Sequence, residues 1–194
     1  MRSWDEIFET NPKYKPLNDI FLLRLLSKVK QESNAAFKKI VDLGCGTADT
    51  VFQFARLGFS VEGIDVSSVA LKKLKEKLVS KETKNINLRH GDLNVFSEKI
   101  EADIYFCSFV YAFIENKEHF LKYVSDCMTQ RSVFILITPV TYKNISYLET
   151  DKPNIAVDFE ATKNILSKYF SSVEEYHHDY VGVREDYVTF FIKK

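Results

Sequence analysis

Glycine, proline and cysteine are scarce in this chain. Its 194 residues include six glycines, four prolines and three cysteines. So few glycines and prolines leave little room for long flexible linkers, and the length is typical of a single domain. The cysteines at positions 45, 107 and 127 are odd in number and lack CxxC spacing. This pattern argues against a disulfide scaffold and predicts reduced thiols in the cytoplasm.

An excess of charge of one sign is also missing. Lysine plus arginine number 27, and aspartate plus glutamate also number 27. The net charge therefore gives no reason to expect a nucleic-acid partner. The lysine-rich run over 72–84 is interleaved with Glu76 and Glu82, which is typical of a solvated helix face.

Long hydrophobic runs and metal-ligand patterns are missing as well. The longest nearly uncharged apolar stretch, 105–114, is too short to cross a bilayer as a helix, and no apolar signal segment follows Met1. Neither HExxH nor a Cys/His cluster is present. We therefore expect a cytoplasmic protein without a metal site. Sixteen phenylalanines, ten tyrosines and one tryptophan are enough for a large core and an aromatic-lined pocket.

Strand-like and helical patterns alternate along the chain. Short β-type runs are expected over 39–43, 59–65, 86–90, 102–109 and 132–138, with Pro139 ending the last. Helical patterns are expected over 17–30, 51–57, 70–78, 118–128 and 159–170, and a polar, irregular segment over 141–158. The N-cap of the second of these helices is Thr47 or Asp49, and that of the third is Ser67 or Ser68.

This alternation predicts a parallel sheet with helices on both faces. Two further strand-like runs, 173–181 and 185–192, are joined by about three residues around Gly182, which are too few for a parallel crossover. The expected fold is therefore α/β, with a doubly wound, mostly parallel seven-stranded sheet and a C-terminal antiparallel hairpin. Ligands of such sheets sit beyond the carboxyl ends of the strands, so candidate site residues belong there.

A glycine-rich turn, VDLGCGTAD (41–49), follows the first strand. Gly44 and Gly46 allow a tight turn and the close approach of a ligand. A dinucleotide-binding GxGxxG motif would need its third glycine where this chain has Asp49. A carboxylate at Asp42 would repel a pyrophosphate, but it suits a ligand with a positive charge such as an α-ammonium group.

Acidic residues also stand at the ends of the next two strands. Asp65 ends the second strand, where an acid in a doubly wound fold accepts hydrogen bonds from ribose hydroxyls. Val66 follows it and is placed to pack on an adenine face. Asp92 and Leu93 follow the third strand and put an acid and an apolar residue where adenine would lie. The fourth strand ends in SFVY (108–111), at the mouth that faces the reactive end of the ligand.

In order and spacing, the segments VDLGCGT (41–47), GIDVS (63–67) and GDL (91–93) resemble the successive cofactor motifs of class I S-adenosylmethionine-dependent methyltransferases. The resemblance covers residues 38–194. It implies S-adenosylmethionine as cofactor and a single domain over 1–194. Within that domain, 1–35 form an N-terminal segment and helix, a candidate lid, and 36–194 form a Rossmann-like core.

The resemblance also assigns residues to each part of the cofactor. They are Asp42, Gly44, Cys45 and Gly46 for the methionine part, Asp65 for the ribose, Val66, Asp92 and Leu93 for the adenine, and Ser108 and Phe109 for the sulfonium and its methyl group.

The methyl acceptor is less defined. The opening Trp4-Asp5 and the segment YKP (14–16) are similar to small-molecule methyltransferases of the thiopurine and tellurite-resistance type, in which an N-terminal segment closes over the cofactor. The chain lacks the Asn/Asp-Pro-Pro-Tyr motif of methyltransferases that modify nucleobase or glutamine amino groups. We expect methyl transfer to a small molecule. The alternatives are a non-catalytic S-adenosylmethionine-binding protein, or a methyltransferase acting on RNA or protein.

A general base is required only for some acceptors. A hydroxyl or ammonium acceptor would need one, whereas a thiol or an ionised group would not. The candidates are Tyr14, Tyr111, His119, His177 and His178, and the sequence does not choose among them. His177 and His178 are neighbours on a predicted strand, so they face opposite sides and cannot both serve one pocket.

Overall fold

The computed structural model describes residues 3–10, 17–32, 37–81, 84–142, 155–177 and 187–194. In these ranges, six α-helices and one 3₁₀ turn accompany a sheet of eight strands. The helices are α1 (Trp4–Thr10), α2 (Asp19–Glu32), α3 (Thr50–Arg56), α4 (Ser68–Lys81), α5 (Lys117–Cys127) and α6 (Phe159–Tyr169). The strands are β1 (Lys39–Leu43), β2 (Ser60–Asp65), β3 (Ile86–His90), β4 (Ile104–Ser108), β5 (Val133–Thr141), β6 (Val157–Asp158), β7 (Ser172–His177) and β8 (Tyr187–Lys193). The 3₁₀ turn is Tyr111–Phe113.

The strands lie in the order β3-β2-β1-β4-β5-β8-β7, with the short β6 beside the end of β5. Strands β1 to β5 pair in parallel, and β8 runs antiparallel to both β5 and β7. The predicted α/β fold with an antiparallel C-terminal pair is confirmed. The strand order reverses between β1 and β4, which is where a crevice for a ligand forms in such sheets.

Both faces of the sheet are covered by helices. Along β5, Phe134 and Leu136 belong to the apolar cluster beneath α5 and α6, whereas Ile135 and Ile137 belong to the cluster beneath α2, α3 and α4. Successive side chains of a strand point to opposite faces, so a central strand covered on both sides is apolar throughout. This explains why β4 and β5 read as continuous hydrophobic runs.

The caps of two helices resolve alternatives left open by the sequence. The hydroxyl of Ser67 accepts a hydrogen bond from an amide of the first turn of α4 at 3.1 Å, so Ser67 is the cap. Asp49 stands at the N-cap of α3 but makes no capping bond. Its carboxylate pairs with Lys77 at 2.8 Å, which ties the start of α3 to α4.

The prediction that Pro139 ends the fifth strand was wrong, because β5 continues to Thr141. The N–H of Phe109 donates to the carbonyl of Ile137, so Ile137 and, by alternation, Pro139 turn their backbone polar groups towards β4. Strand β4 has ended at this level, and β6 first pairs with β5 at Val140. Pro139 therefore interrupts no ladder hydrogen bond by lacking an N–H.

Some elements were not predicted or lie outside the described residues. The short strand β6 falls within 141–158, which was expected to be irregular, and residues 143–154 of that segment are outside the described ranges. The helix α1 and the 3₁₀ turn were also missed. The turn around Gly182 is outside the described ranges as well. None of the helices in the described ranges is long and apolar enough to cross a membrane.

Candidate functional site

The glycine turn joins β1 to α3 at the carboxyl edge of the sheet. Gly44 and Gly46 adopt φ angles of 81° and 53°, in the left-handed region that favours glycine. The N–H groups of Gly44 and Cys45 both donate to the carbonyl of Ile64, at 2.8 and 3.0 Å. These two hydrogen bonds hold the turn against the end of β2.

Residue Val110, just after β4, packs directly on this turn. A Cβ atom at Gly44 would lie 2.4 Å from a methyl group of Val110, closer than any van der Waals contact allows. Gly44 is therefore required both by its backbone angle and by its neighbour. The contact also brings the end of β4 next to the end of β1.

Asp42 is the buried acid of the site. It stands on β1, which runs between β2 and β4, and its side chain is 3% exposed with no hydrogen-bond or ion-pair partner among the described residues. Burial, together with the nearby negative charge of Asp65, raises the pKa of Asp42 to about 7. A buried carboxylate without a partner is unfavourable in its charged form, and a cationic ligand would stabilise it.

Asp65 links the glycine turn to α4. Its two carboxylate oxygens accept hydrogen bonds from the backbone N–H groups of Gly46 and Ser67, each at 2.8 Å. Burial raises the pKa of Asp65, while these two hydrogen bonds oppose the rise. Each carboxylate oxygen can accept a second hydrogen bond, so Asp65 keeps capacity for ligand hydroxyls.

Two neighbours in the turn differ in what they offer a ligand. The Sγ atom of Cys45 packs 3.0 Å from the position of a Cβ on Gly63, and burial raises the pKa of its thiol. Cys45 is therefore a neutral packing residue that presents only its backbone. Thr47, which sequence reasoning did not assign to the site, is buried, and within the described part of the chain its Oγ1 has no hydrogen-bond partner. Its position directly after Gly46 was the signal that could have identified it.

The predicted adenine residues have different surroundings. Val66 is half-exposed, and its carbonyl lies 2.9 Å from Nε2 of His90. Asp92 accepts hydrogen bonds from the backbone and side-chain N–H groups of Asn94, both at 2.9 Å. The side chain of Leu93 is buried in the core, so only its backbone is available at this edge.

Phe109 marks the mouth of the site, directly after the half-buried Ser108. Its φ is 59°, and no other non-glycine residue in the described ranges has a positive φ. Such a conformation costs on the order of 1–3 kcal/mol and is characteristic of functional sites. The ring is 38% exposed and meets Tyr187 of β8 edge to face, with centroids 5.3 Å apart.

The general-base candidates are dispersed. Tyr111 is fully buried, its hydroxyl has no hydrogen-bond partner among the described residues, and burial raises its pKa, so its proton is firmly held. His119 lines a separate cavity of about 300 Å³ on the α5 side, which none of the predicted cofactor residues lines. His177 ends β7, and its Nδ1 lies 3.3 Å from the hydroxyl of Tyr142. Tyr14 and His178 lie outside the described residues.

Helix α1 lies against the start of α4. The carboxylate of Asp5 accepts hydrogen bonds from the hydroxyls of Ser67 and Ser68, at 2.6 and 3.0 Å, and from the N–H of Val69 at 3.2 Å. These bonds keep the pKa of Asp5 below its usual value. A carboxylate at a helix N-terminus is also favoured by the helix dipole.

The remaining contacts of α1 extend over the turn and the mouth. Lys73 of α4 donates to the carbonyl of Phe8 at 2.6 Å. The Phe8 ring lies 3.3 Å from the position of a Cβ on Gly46. Trp4 packs edge to face on Phe113, with ring centroids 4.9 Å apart. Helix α1 therefore covers the edge of the sheet from the glycine turn to the 3₁₀ turn after β4.

A family model described as a methyltransferase domain matches residues 35–179, which is most of the chain. The chain belongs to this methyltransferase family. The resemblance seen in the three sequence motifs is thereby confirmed. The match includes the glycine turn and the ends of β1 to β4, where the candidate residues lie.

Curated relatives of this methyltransferase match over a limited segment. The ubiquinone biosynthesis O-methyltransferase of Cupriavidus pinatubonensis is 42% identical over 65 residues, which are 34% of this chain and 26% of the relative. That of Ralstonia nicotianae is 39% identical over 71 residues, 37% of this chain and 28% of the relative. The matched segment thus spans about a quarter of the length of these relatives.

Solved structures share the fold over nearly the whole methyltransferase chain. An S-adenosylmethionine-dependent methyltransferase from Clostridium acetobutylicum superposes with a TM-score of 0.71 at 14% identity, covering 98% of this chain and 95% of that one. TehB from Haemophilus influenzae superposes with a TM-score of 0.69 at 14% identity, covering 99% of this chain and 67% of that one. At these identities the likeness concerns the fold.

Proposed function

We propose that this protein is an enzyme that transfers a methyl group from S-adenosylmethionine to a small-molecule acceptor. The observation that carries the proposal is Asp42, a buried carboxylate beside the glycine turn without a partner among the described residues. S-adenosylmethionine carries an α-ammonium and a sulfonium group, so it offers Asp42 a positively charged partner.

The other residues at this edge also fit the cofactor. Gly44 and Gly46 let the backbone approach the methionine part. Asp65 has free acceptor capacity for the ribose hydroxyls. The half-exposed Val66 presents an apolar surface for the adenine, and the unpaired hydroxyl of Thr47 offers one more polar contact.

When bound, S-adenosylmethionine supplies an electrophilic methyl group. The task of the protein is to align the acceptor with that group and to exclude water from the site. Ser108 and Phe109 at the end of β4 border the place where the acceptor meets the methyl group. Tyr111 keeps its proton at neutral pH and can donate a hydrogen bond. A methyl acceptor that needs a general base therefore requires a residue other than Tyr111.

We also propose that α1 is a lid over the cofactor. The Phe8 ring covers Gly46, and Asp5 and Lys73 hold the helix on α4. Cofactor entry then requires these contacts to open, and their return closes the site against water.

The relatives support a small acceptor. They are named as O-methyltransferases of ubiquinone biosynthesis, and ubiquinone is a small molecule. In this chain the sheet and its helices use most of the described residues, and no additional domain for a large substrate is present in those ranges.

Calorimetric titration with S-adenosylmethionine, NAD and ATP tests the cofactor assignment. We expect only S-adenosylmethionine to bind, with an affinity that falls as the pH drops through about 7, where Asp42 becomes protonated. Asp42→Asn should lose most of this pH dependence and bind about tenfold or more weakly, since a charge-assisted contact contributes about 1.5–3 kcal/mol.

The control for that variant is Asp126→Asn, which changes an exposed carboxylate on α5. It should bind the cofactor as the unmodified protein does. Equal affinity of the Asp42 variant, or preferential binding of NAD or ATP, would contradict the proposal. Cofactor binding without release of S-adenosylhomocysteine over a panel of phenols, thiols and amines would favour the non-catalytic alternative.

A further inference from the structure

We infer that the acceptor is an uncharged planar aromatic molecule, and that four aromatic side chains at the mouth of the site recognise it. These side chains, which we call the aromatic rim, are Trp4, Phe109, Phe113 and Tyr187. The inference rests on the proposed methyl transfer and names the class of acceptor for that same site.

The rim residues come from separate parts of the chain and form two ring pairs at the carboxyl edge, Trp4 with Phe113 and Phe109 with Tyr187. Phe109 directly follows β4, and Phe113 ends the 3₁₀ turn after it. Tyr187 begins β8, which is antiparallel to β5 and pairs Tyr187 with Pro139. Trp4 arrives on α1 and contacts Phe113. The rim therefore lies where an acceptor would approach the methyl group.

The exposure of the two phenylalanines is unusual for this part of the molecule. Phe109 and Phe113 are 38% and 36% exposed, whereas Tyr111 and Ile114 between and beside them are buried. The left-handed backbone of Phe109 maintains this conformation at the mouth, and Tyr187 contacts its ring. Large apolar side chains that stay exposed at the edge of a site are a feature of binding surfaces.

The geometry of the ring pairs favours a flat ligand. Trp4 and Phe113 meet at an interplanar angle of 88°, and Phe109 and Tyr187 at 80°. In an edge-to-face pair, one ring keeps both of its faces clear of its partner. Trp4 is also tilted against Phe8, with ring centroids 5.9 Å apart, so the surface for a third ring comes from the exposed Phe109 and Phe113.

The end of β4 and the 3₁₀ turn after it offer no charged group to an acceptor. The segment 108–114, which forms the end of β4 and the 3₁₀ turn, contains no charged residue. Lys117, the first cation beyond it, points inward: its Nζ donates to the carbonyl of Ile114 at 2.6 Å and lies over the ring of Tyr111. A charged acceptor would have no counter-ion from this segment.

The single tryptophan of the chain makes the inference measurable, because Trp4 belongs to the rim. Binding is measured by calorimetry, and Trp4 fluorescence is followed in parallel, while ligands are added to the protein saturated with S-adenosylhomocysteine. The probes are two matched pairs: catechol with cyclohexane-1,2-diol, and 2-naphthol with decahydro-2-naphthol. Each pair has similar hydroxyl groups but differs in whether the ring is flat and aromatic.

We expect saturable quenching by the aromatic member of each pair and much weaker binding of the saturated member. Phe109→Leu and Phe113→Leu should each weaken aromatic binding about threefold to tenfold, since an aromatic pair contributes about 0.5–1.5 kcal/mol beyond its buried area. Phe109→Tyr keeps the ring and should restore binding. The matched control is Tyr176→Leu, an exposed aromatic on the edge strand β7, three strands from β4.

The outcomes separate this inference from the proposed function. If S-adenosylhomocysteine binds but aromatic and saturated probes bind equally, the rim does not select aromatic acceptors and the inference is wrong, while cofactor binding stands. An equal loss in the Tyr176 control would also overturn it. If neither the cofactor nor its product binds, the proposed function itself fails.

Discussion

At the scale of single residues, Gly44 is subject to two independent restraints. Its φ of 81° is a property of the turn, and the glycine pattern after β1 predicts it. Its close contact with Val110 joins positions 66 residues apart, and no local pattern predicts that contact. The first restraint shapes the turn, and the second brings the ends of β1 and β4 together at the site.

Substitution of two glycines by alanine separates these restraints. Gly58 has a φ of 90° but no atom within 4 Å of the position of its Cβ, so Gly58→Ala tests the backbone angle alone. It should lower the free energy of unfolding by about 1 kcal/mol. Gly44→Ala adds the clash with Val110 and should lower it by about 2–4 kcal/mol in urea titrations. Equal losses would show that Val110 moves aside freely.

Some features of the site residues were predicted from local sequence patterns, and others were not. Asp42, Asp65 and the two turn glycines were predicted from strand ends and spacing, and the structure brings them together at one edge. Their binding roles stay predictions. The side-chain burial of Leu93 could not be read from its motif, because a residue after a strand can face either the edge or the core.

At the scale of elements, α1 depends on contacts distant in sequence. Trp4–Thr10 has only seven residues, which is too short for a helix to be stable by itself. It is stabilised by Asp5 at the start of α4 and by Lys73 at the carbonyl of Phe8. A short helix that depends on a few polar contacts is suited to opening and closing.

Asp5→Ala should loosen α1 while leaving the sheet intact. Loss of its hydrogen bonds to α4 should weaken S-adenosylmethionine binding about threefold to tenfold, mainly through faster dissociation, since hydrogen bonds contribute about 1 kcal/mol. The emission of Trp4 should move to longer wavelength as its contact with Phe113 opens. Stopped-flow fluorescence measures both.

The matched control is Glu9→Ala, which removes an exposed acid from the same helix. It should alter neither the emission nor the dissociation rate. If Asp5→Ala behaves like Glu9→Ala, α1 is not a lid held by Asp5.

At the scale of the whole molecule, two apolar clusters share one sheet. Phe106 of β4 and Phe134 of β5 are both fully buried, but they belong to clusters on opposite faces. Because the same strands contribute to both clusters, loss of packing on one face should destabilise the other. This is the physical basis for expecting a single cooperative domain.

Phe106→Ala and Phe134→Ala test that expectation. Each should lower the free energy of unfolding by about 3–5 kcal/mol, the range for phenylalanine truncations in cores. Each variant should still unfold in one transition that coincides by far-ultraviolet and near-ultraviolet circular dichroism. Val95→Ala, at an exposed position, should have little effect. Two separate transitions would contradict a single domain.

The sequence by itself determined the alternation of the main strands and helices along the chain, the glycine turn and the acids at the strand ends. These features depend on periodicity and on the intrinsic conformations of glycine and capping residues, which act over a few neighbouring positions. Only the tertiary structure decided that β5 passes through Pro139, that α1 lies on α4, and that Trp4 packs on Phe113 and Phe109 on Tyr187. Such contacts join residues far apart in sequence, and packing selects them only when the whole chain is folded.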